Sequence, residues 1–415
     1  MIERLTRWLA VPVFVLGVAA SADAEDLRIG RAEFRERVEG FWHGQLVGNY
    51  MGFPFENLYI DEPIPVLVDR YYTTENAGEL RINGRDSRGN TSMFATAMDG
   101  AWSDDDTDIE FVTLHAVEKY GLDITHLEIT EMWKRHINRR IWVANRTARN
   151  LMEEGLVAPA TGSKENNENW FQIDPQLVNE IWSVFYPGIP QRSAERAEWG
   201  ARITNDDWGT HPTVAYGVMI SLAFFEKDPE SLVRSALEFL PEDSPFTEGV
   251  RDVLRWHAEH DDWREVRQLV HDKYYRYKKG DYEAPVSVVS SLNNGLVGVM
   301  ALLYGKADFV RTVGLGVSAG YDCDNQAATL GGLLGVMHGS SVIPKELTHN
   351  LGPISWSKPF NDSYVNYARD EIAVHTPISE IIDRIVAVSE QAIFQQGGRI
   401  EGEGDEATYV IPGGR

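Results

Sequence analysis

Apolar residues along this chain recur mostly at helical spacing. Ile109, Val112, Ala116 and Tyr120 fall three or four apart, and Gly121 follows as a helix-ending glycine. Thr213 to Glu226 is apolar on nearly every side, which predicts a central buried helix. Leu292 to Leu303, Ala327 to Met337 and Ile378 to Phe394 also read as helices. Two-residue alternation is scarce; Pro63 to Val68 is its best instance and predicts one short strand. Tyr72 to Asn90 and Ala158 to Asn169 read as polar loops. Gly397 to Arg415 is Gly-rich and acidic, and is expected to be a loose tail in which Tyr409 to Ile411 could dock. With no fixed-period repeat and no linker, the pattern predicts one large all-α domain over residues 25–396.

Residues 1–24 have a different pattern. Arg4 and Arg7 precede an apolar run from Leu9 to Ala20, and Ala22-Asp23-Ala24 has the small-x-small form of a cleavage site. This predicts a signal peptide. The run is short for a membrane anchor, which needs roughly 20 apolar residues. The expectation is therefore a mature chain off the membrane, exported to a periplasm or secreted.

Two stripes of small residues stand out. Gly40, Gly44, Gly48 and Gly52 lie four apart, as do Ala327, Gly331, Gly335 and Gly339. That spacing keeps each stripe on one helical face. An internal helix glycine costs roughly 1 kcal/mol against alanine, so two whole stripes imply a packing reason. The reason expected is close approach of a neighbouring helix, which would hold the flanking loops rigidly.

Composition narrows the chemistry. Among 415 residues, 39 Lys+Arg against 63 Asp+Glu give a net charge of −24. A surplus this acidic argues against a nucleic-acid partner. Hydrophobic residues at 43% exclude disorder for the bulk of the chain. The single cysteine, Cys323, excludes an intrachain disulfide and a thiolate metal cluster.

The acids are concentrated at two predicted helix starts. Asp104, Asp105 and Asp106 precede Thr107 and Asp108; Asp322, Cys323, Asp324 and Asn325 open the second glycine-striped helix. Acids at helix starts can simply be caps. One Asp meets that need, whereas several in a row repel unless solvated or bridged by a cation. Carboxylates with amide or hydroxyl oxygens suit Mg²⁺, Mn²⁺ or Ca²⁺. An EF-hand fails, because its sixth and twelfth positions would fall on Ala327 and Leu333.

Taken in order, these stretches resemble the ADP-ribosylglycohydrolase family. Its opening motif, GxxxGDAxGxxxE, is matched at Gly44, Gly48, Gly52 and Glu56, with Asn49 in place of the Asp. Its Thr-Asp-Asp-Thr motif falls on Asp104 to Thr107, and Gly-x-Asp-x-Asp-Thr on Gly320 to Asn325, followed by the second stripe and Ile343-Pro344. Tyr304-Gly305 with Asp308-Phe309 resembles the lead into the last motif. Ile173 to Gly188 and Gly209 to Asp228 resemble the middle helices of its crystallin-J1-like branch. The similarity spans roughly Phe41 to Glu390.

The resemblance implies an all-α fold with two divalent cations, Mg²⁺ or Mn²⁺, in a central cleft. It implies Asp105, Asp106, Asp322 and Asp324 as metal ligands, with Asp104 and Asn325 standing where the family has threonine ligands. It implies a catalytic set of Glu56, Asp105, Asp106 and Asp324, with Glu56 in a gating or acid/base role. Asn49, Trp170, Trp208 and His211 are candidates for substrate contact. The aromatic pair could equally be core, and His211 could be structural. The activity implied is hydrolysis of an ADP-ribosyl or related ribosyl bond in a small glycoside or glycosylated substrate. An exported glycosidase acting on another glycan or nucleoside is an alternative, as is a non-catalytic, crystallin-like protein.

Overall fold

The computed structural model describes residues 25–73, 100–102, 105–352 and 354–413. Residues 1–24, expected to be a signal peptide, most of the Tyr72 to Asn90 loop and Asp104 lie outside the described residues.

Seven helices build and flank the site. They are α1 (Arg31–Gly52), α2 (Asp106–Tyr120), α3 (Val143–Glu153), α4 (His211–Ala223), α5 (Ser291–Gly305), α6 (Cys323–His338) and α7 (Ile378–Gln395). Each of the five helices expected from apolar spacing is present. α2 ends at Gly121, whose φ of +85° is one that side chains rarely adopt. Thr213 to Ser221 of α4 is buried throughout, as its uniformly apolar sequence requires. No helix among the described residues is long and apolar enough to cross a membrane.

The two glycine-bearing helices pack on each other. Every residue from Gly40 to Gly52 of α1 and from Cys323 to Met337 of α6 is buried. The helices run antiparallel with backbones in contact. A Cβ on Gly40 would lie 2.5 Å from the Gly335 carbonyl oxygen, and one on Gly44 2.1 Å from that of Gly331. One on Gly48 would lie 2.1 Å from the Ala327 carbonyl oxygen, and one on Gly52 2.2 Å from the Asp324 Cα. The helix-forming cost of the glycines is thus offset by contact that no larger residue allows. The crossing ends at Asp324, so a candidate ligand is positioned by main-chain packing.

Two expectations are corrected. Residues 63–68 form no strand. Ile64 and Val68 are buried, but Val66, which a two-residue pattern puts on the same face, is 39% exposed, so the alternation is not realised. The Ile64 and Val68 N–H groups bond to the Ser318 carbonyl and hydroxyl, both at 2.9 Å, so a helix end replaces a strand partner. The C-terminal segment is tied down rather than loose. Strands β1 (Leu27–Gly30), β2 (Arg399–Glu401) and β3 (Thr408–Ile411) form an antiparallel sheet with β3 in the middle. Leu27 pairs with Ile411 and Arg399 with Val410, and Tyr409, Val410 and Ile411 are buried.

Candidate metal centre

The turn after α1 and the turn before α6 are tied together. Asn57 (φ +58°) donates its N–H to the Tyr321 carbonyl at 2.8 Å, and Tyr321 (φ +62°) donates to Tyr59 at 2.9 Å. Gly320, directly before Tyr321, has φ +82°, and a Cβ there would lie 2.0 Å from the Tyr59 oxygen. The buried Arg267 spans both turns. Its Nε donates to the Ala319 carbonyl at 3.0 Å, Nη1 to Asp61 at 2.9 Å, and Nη2 to Ile60. Its guanidinium lies 4.6 Å over the Tyr321 ring. Charge-assisted bonds to backbone carbonyls are strong and directional. They fix the turn carrying Glu56 against the turn carrying Asp322.

Glu56, Asp322 and Asp324 therefore converge, each presenting one carboxylate oxygen with all three within 4.8 Å of one another. Desolvation, then the neighbouring Glu56 carboxylate, push Asp322 well above the usual carboxylate range. The Asp322 N–H is held by Asn294 Oδ1 at 3.0 Å. Cys323 turns away: it is fully buried, with its Sγ 3.5 Å from the Gly52 carbonyl.

The start of α2 closes the other side. Asp105 and Asp106 line one cleft with Glu56, Asp322, Asp324 and Asn325. Asp105 and Asp322 occupy N-cap positions, yet neither makes a side-chain capping bond. Helix capping alone thus does not account for them. Two amides steady Asp106: Asn49 Nδ2 donates to its Oδ2 at 3.2 Å and Asn325 Nδ2 to its Oδ1 at 3.3 Å. Asn49, standing where the family motif has Asp, donates to a carboxylate that a second carboxylate would repel. It is fully buried behind the cleft rather than among its lining residues. Asp108 has another use, an ion pair with Arg369 at 3.6 Å in which both side chains are fully buried.

The cleft holds about 270 Å³ and is completed by Asn57, Trp142, Val143, Ile173, Asp174 and Val289. Asp174 and Trp142 escaped the sequence reading. Asp174 precedes Pro175 at a short helix start, so it carried the same acidic signal as the two clusters, but singly. Burial pushes its carboxyl up to about 7, and one oxygen accepts the Asn145 N–H at 3.0 Å. Trp170, Trp208 and His211 do not line the cleft. Trp170 and Trp208 pack edge to face at 5.0 Å, Trp208 Nε1 donates to Tyr282 at 2.6 Å, and His211 Nδ1 meets Ser244 Oγ at 2.6 Å.

The lining suits a hard cation. Six carboxyl groups (Glu56, Asp105, Asp106, Asp174, Asp322 and Asp324) share the cleft, with no Lys or Arg among its described lining residues. Such crowding is relieved by protons or by cations, and an oxygen-only donor set is the one Mg²⁺, Mn²⁺ and Ca²⁺ prefer.

A family model described as ADP-ribosylglycohydrolase matches residues 30–384. The chain belongs to the ADP-ribosylglycohydrolase family. A solved structure titled "ADP-ribosylglycohydrolase-related protein complex" aligns with a TM-score of 0.50 at 16% identity, covering 87% of this chain and 99% of that one. At that identity the likeness speaks for the fold. No curated protein matches. Membership supports a glycohydrolase-type function and agrees with the acidic cluster as a place where a divalent metal could bind.

Proposed function

We propose that this chain is an exported ADP-ribosylglycohydrolase-family enzyme of the crystallin-J1-like branch. It hydrolyses a glycosidic bond, with an ADP-ribosyl or related ribosyl group as the glycone. The observation that carries this is the convergence of Glu56, Asp322 and Asp324 from turns far apart in sequence, opposite Asp105 and Asp106. Asp105, Asp106, Asp322, Asp324 and Asn325 would hold two divalent cations, Mg²⁺ or Mn²⁺, with Asp104 next to them in sequence. When bound, such ions orient vicinal sugar hydroxyls and polarise a water.

The chain's own residues do the rest. Glu56 moves the proton at its carboxylate, and Asn57 Nδ2 orients it by donating to Oε1 at 3.0 Å. Asn49 and Asn325 keep Asp106 turned into the cleft. The carboxylates stabilise positive charge developing on the sugar in an oxocarbenium-like transition state.

The leader-like N-terminus favours a second substrate class, a glycan or nucleoside met outside the cytoplasm. One experiment covers both. Free sugar release is measured from ADP-ribosyl, nucleoside and aryl-glycoside substrates, with and without Mg²⁺ or Mn²⁺, for the mature chain and Asp324→Ala. Metal-dependent release that Asp324→Ala abolishes is expected. Absence of turnover on every substrate favours a crystallin-like role, and turnover indifferent to Asp324→Ala removes the proposed centre.

A further inference from the structure

Trp142 stands where the acidic cleft meets solvent. It lines the cleft and is 53% exposed. A single exposed aromatic is ordinary by itself, but this one is held in place. Arg146, one turn along α3, lies over the indole at 4.9 Å, and its own Nε donates to the Ile141 carbonyl at 3.1 Å. Val143, the next residue and also part of the lining, has φ +27°, a conformation that β-branched residues rarely adopt. Asp174 braces the same turn by accepting the Asn145 N–H. Backbone strain held by surrounding contacts is a common property of ligand-binding positions. No second ring or cation stacks on Trp142 among the described residues.

We propose that Trp142 is a specificity-determining residue that stacks a flat aromatic ring in the leaving group of the substrate. This rests on the glycohydrolase reading. The sugar is placed on the carboxylate floor, so that the group across the scissile bond lies against Trp142, while the nucleotide arm of an ADP-ribosyl glycone leaves the cleft elsewhere. The guanidinium already over the indole draws on the ring's negative face. A second cation there would be opposed by the first, whereas a neutral aromatic ring gains offset stacking and loses nothing to charge.

Two hydrolysis-resistant probes test it on the full mature chain with Mn²⁺: phenyl 1-thio-ribofuranoside and methyl 1-thio-ribofuranoside, with affinities read by calorimetry. The wild type should bind the phenyl compound about tenfold more tightly, the range for one aromatic stack. Trp142→Ala should erase that preference, Trp142→Phe should keep most of it, and Mn²⁺ affinity should be the same in all three. A phenyl preference that survives in Trp142→Ala, or is absent from the wild type while both compounds bind, overturns the platform alone. Failure of both compounds to bind the Mn²⁺-loaded wild type overturns the ribosyl reading and the platform with it.

Discussion

The two acidic helix starts look alike in sequence and are built differently. At α6 the two acids reach the cleft because main chain packs on main chain: Gly52 has no side chain, so the Asp324 backbone rests on the end of α1. At α2 the acids are placed by side chains. Asn49 and Asn325 hold Asp106, and two residues on Asp108 is buried against Arg369 and accepts the Tyr364 hydroxyl at 2.5 Å. One start is fixed by the absence of atoms, the other by paired charges and hydrogen bonds. The difference teaches that an acidic run is not one signal. Neighbouring carboxylates in it can serve a site and a fold, and only their partners tell which.

The comparison breaks most severely at the glycines. Gly48→Val would place a Cβ 2.1 Å from a carbonyl oxygen of α6. Backbone cannot yield as a side chain can, so a loss of more than about 3 kcal/mol in chemical denaturation is expected. A near-wild-type midpoint would mean the two helices can slide apart.

Next in size is the α2 anchor. Arg369→Met leaves Asp108 buried without its partner, and breaking such a pair costs about 3–5 kcal/mol. Asp108→Asn leaves the Arg369 charge buried in turn, but Arg369 Nη1 and Nη2 still donate to the Arg139 and Arg140 carbonyls at 2.8 and 2.9 Å, so it should cost less. Near-wild-type stability in Arg369→Met would show that the pair's charge is not what holds this helix start.

The last effect is a pH slope, felt only above the ordinary glutamate range. Glu110, one turn beyond Asp106, is buried and accepts the Ile181 N–H at 2.7 Å. The adjacent Glu180, bonded to Gln45 Nε2 at 3.2 Å, is pushed by burial from 4.5 up to about 8. Between those values the folded chain keeps a proton that the unfolded chain releases. The stability Glu180 contributes is full below pH 4.5 and is lost as pH rises to about 8. Glu180→Gln should flatten that decline, giving a higher melting temperature than wild type at pH 8 and a smaller difference at pH 5. Parallel melting curves across the range would locate the proton elsewhere.

Most of the fold was legible because helix periodicity survives in the sequence of a helical protein. The glycine stripes announced close packing, and their equal spacing fits a mutual antiparallel contact, although spacing alone did not name the partner. Residues 63–68 misled because their two-residue spacing never becomes one buried face: Val66 faces solvent, while Ile64 and Val68 are buried and bond through their N–H groups to Ser318. In the C-terminal segment Gly and acidic content suggested a loose tail; Tyr409 to Ile411 was readable as able to dock, but its pairing partner, at the other end of the chain, was not. In the site, Glu56 and the acids were readable as motif positions. Trp142 and Asp174 were not, since one is a lone aromatic on a turn and the other a lone acid before a proline. Trp170 and Trp208 drew attention by size, and they contact each other.

The central claim is that both helix starts serve one cation centre. Mn²⁺ binding to the metal-stripped mature chain, followed by electron paramagnetic resonance or calorimetry, tests it most directly. Wild type, Asp106→Ala and Asp324→Ala are compared at matched helical content. Saturable binding is expected in the wild type, weakened by at least about tenfold in each variant, one from each helix start. Binding that is absent from the wild type, or untouched by either substitution, would contradict it.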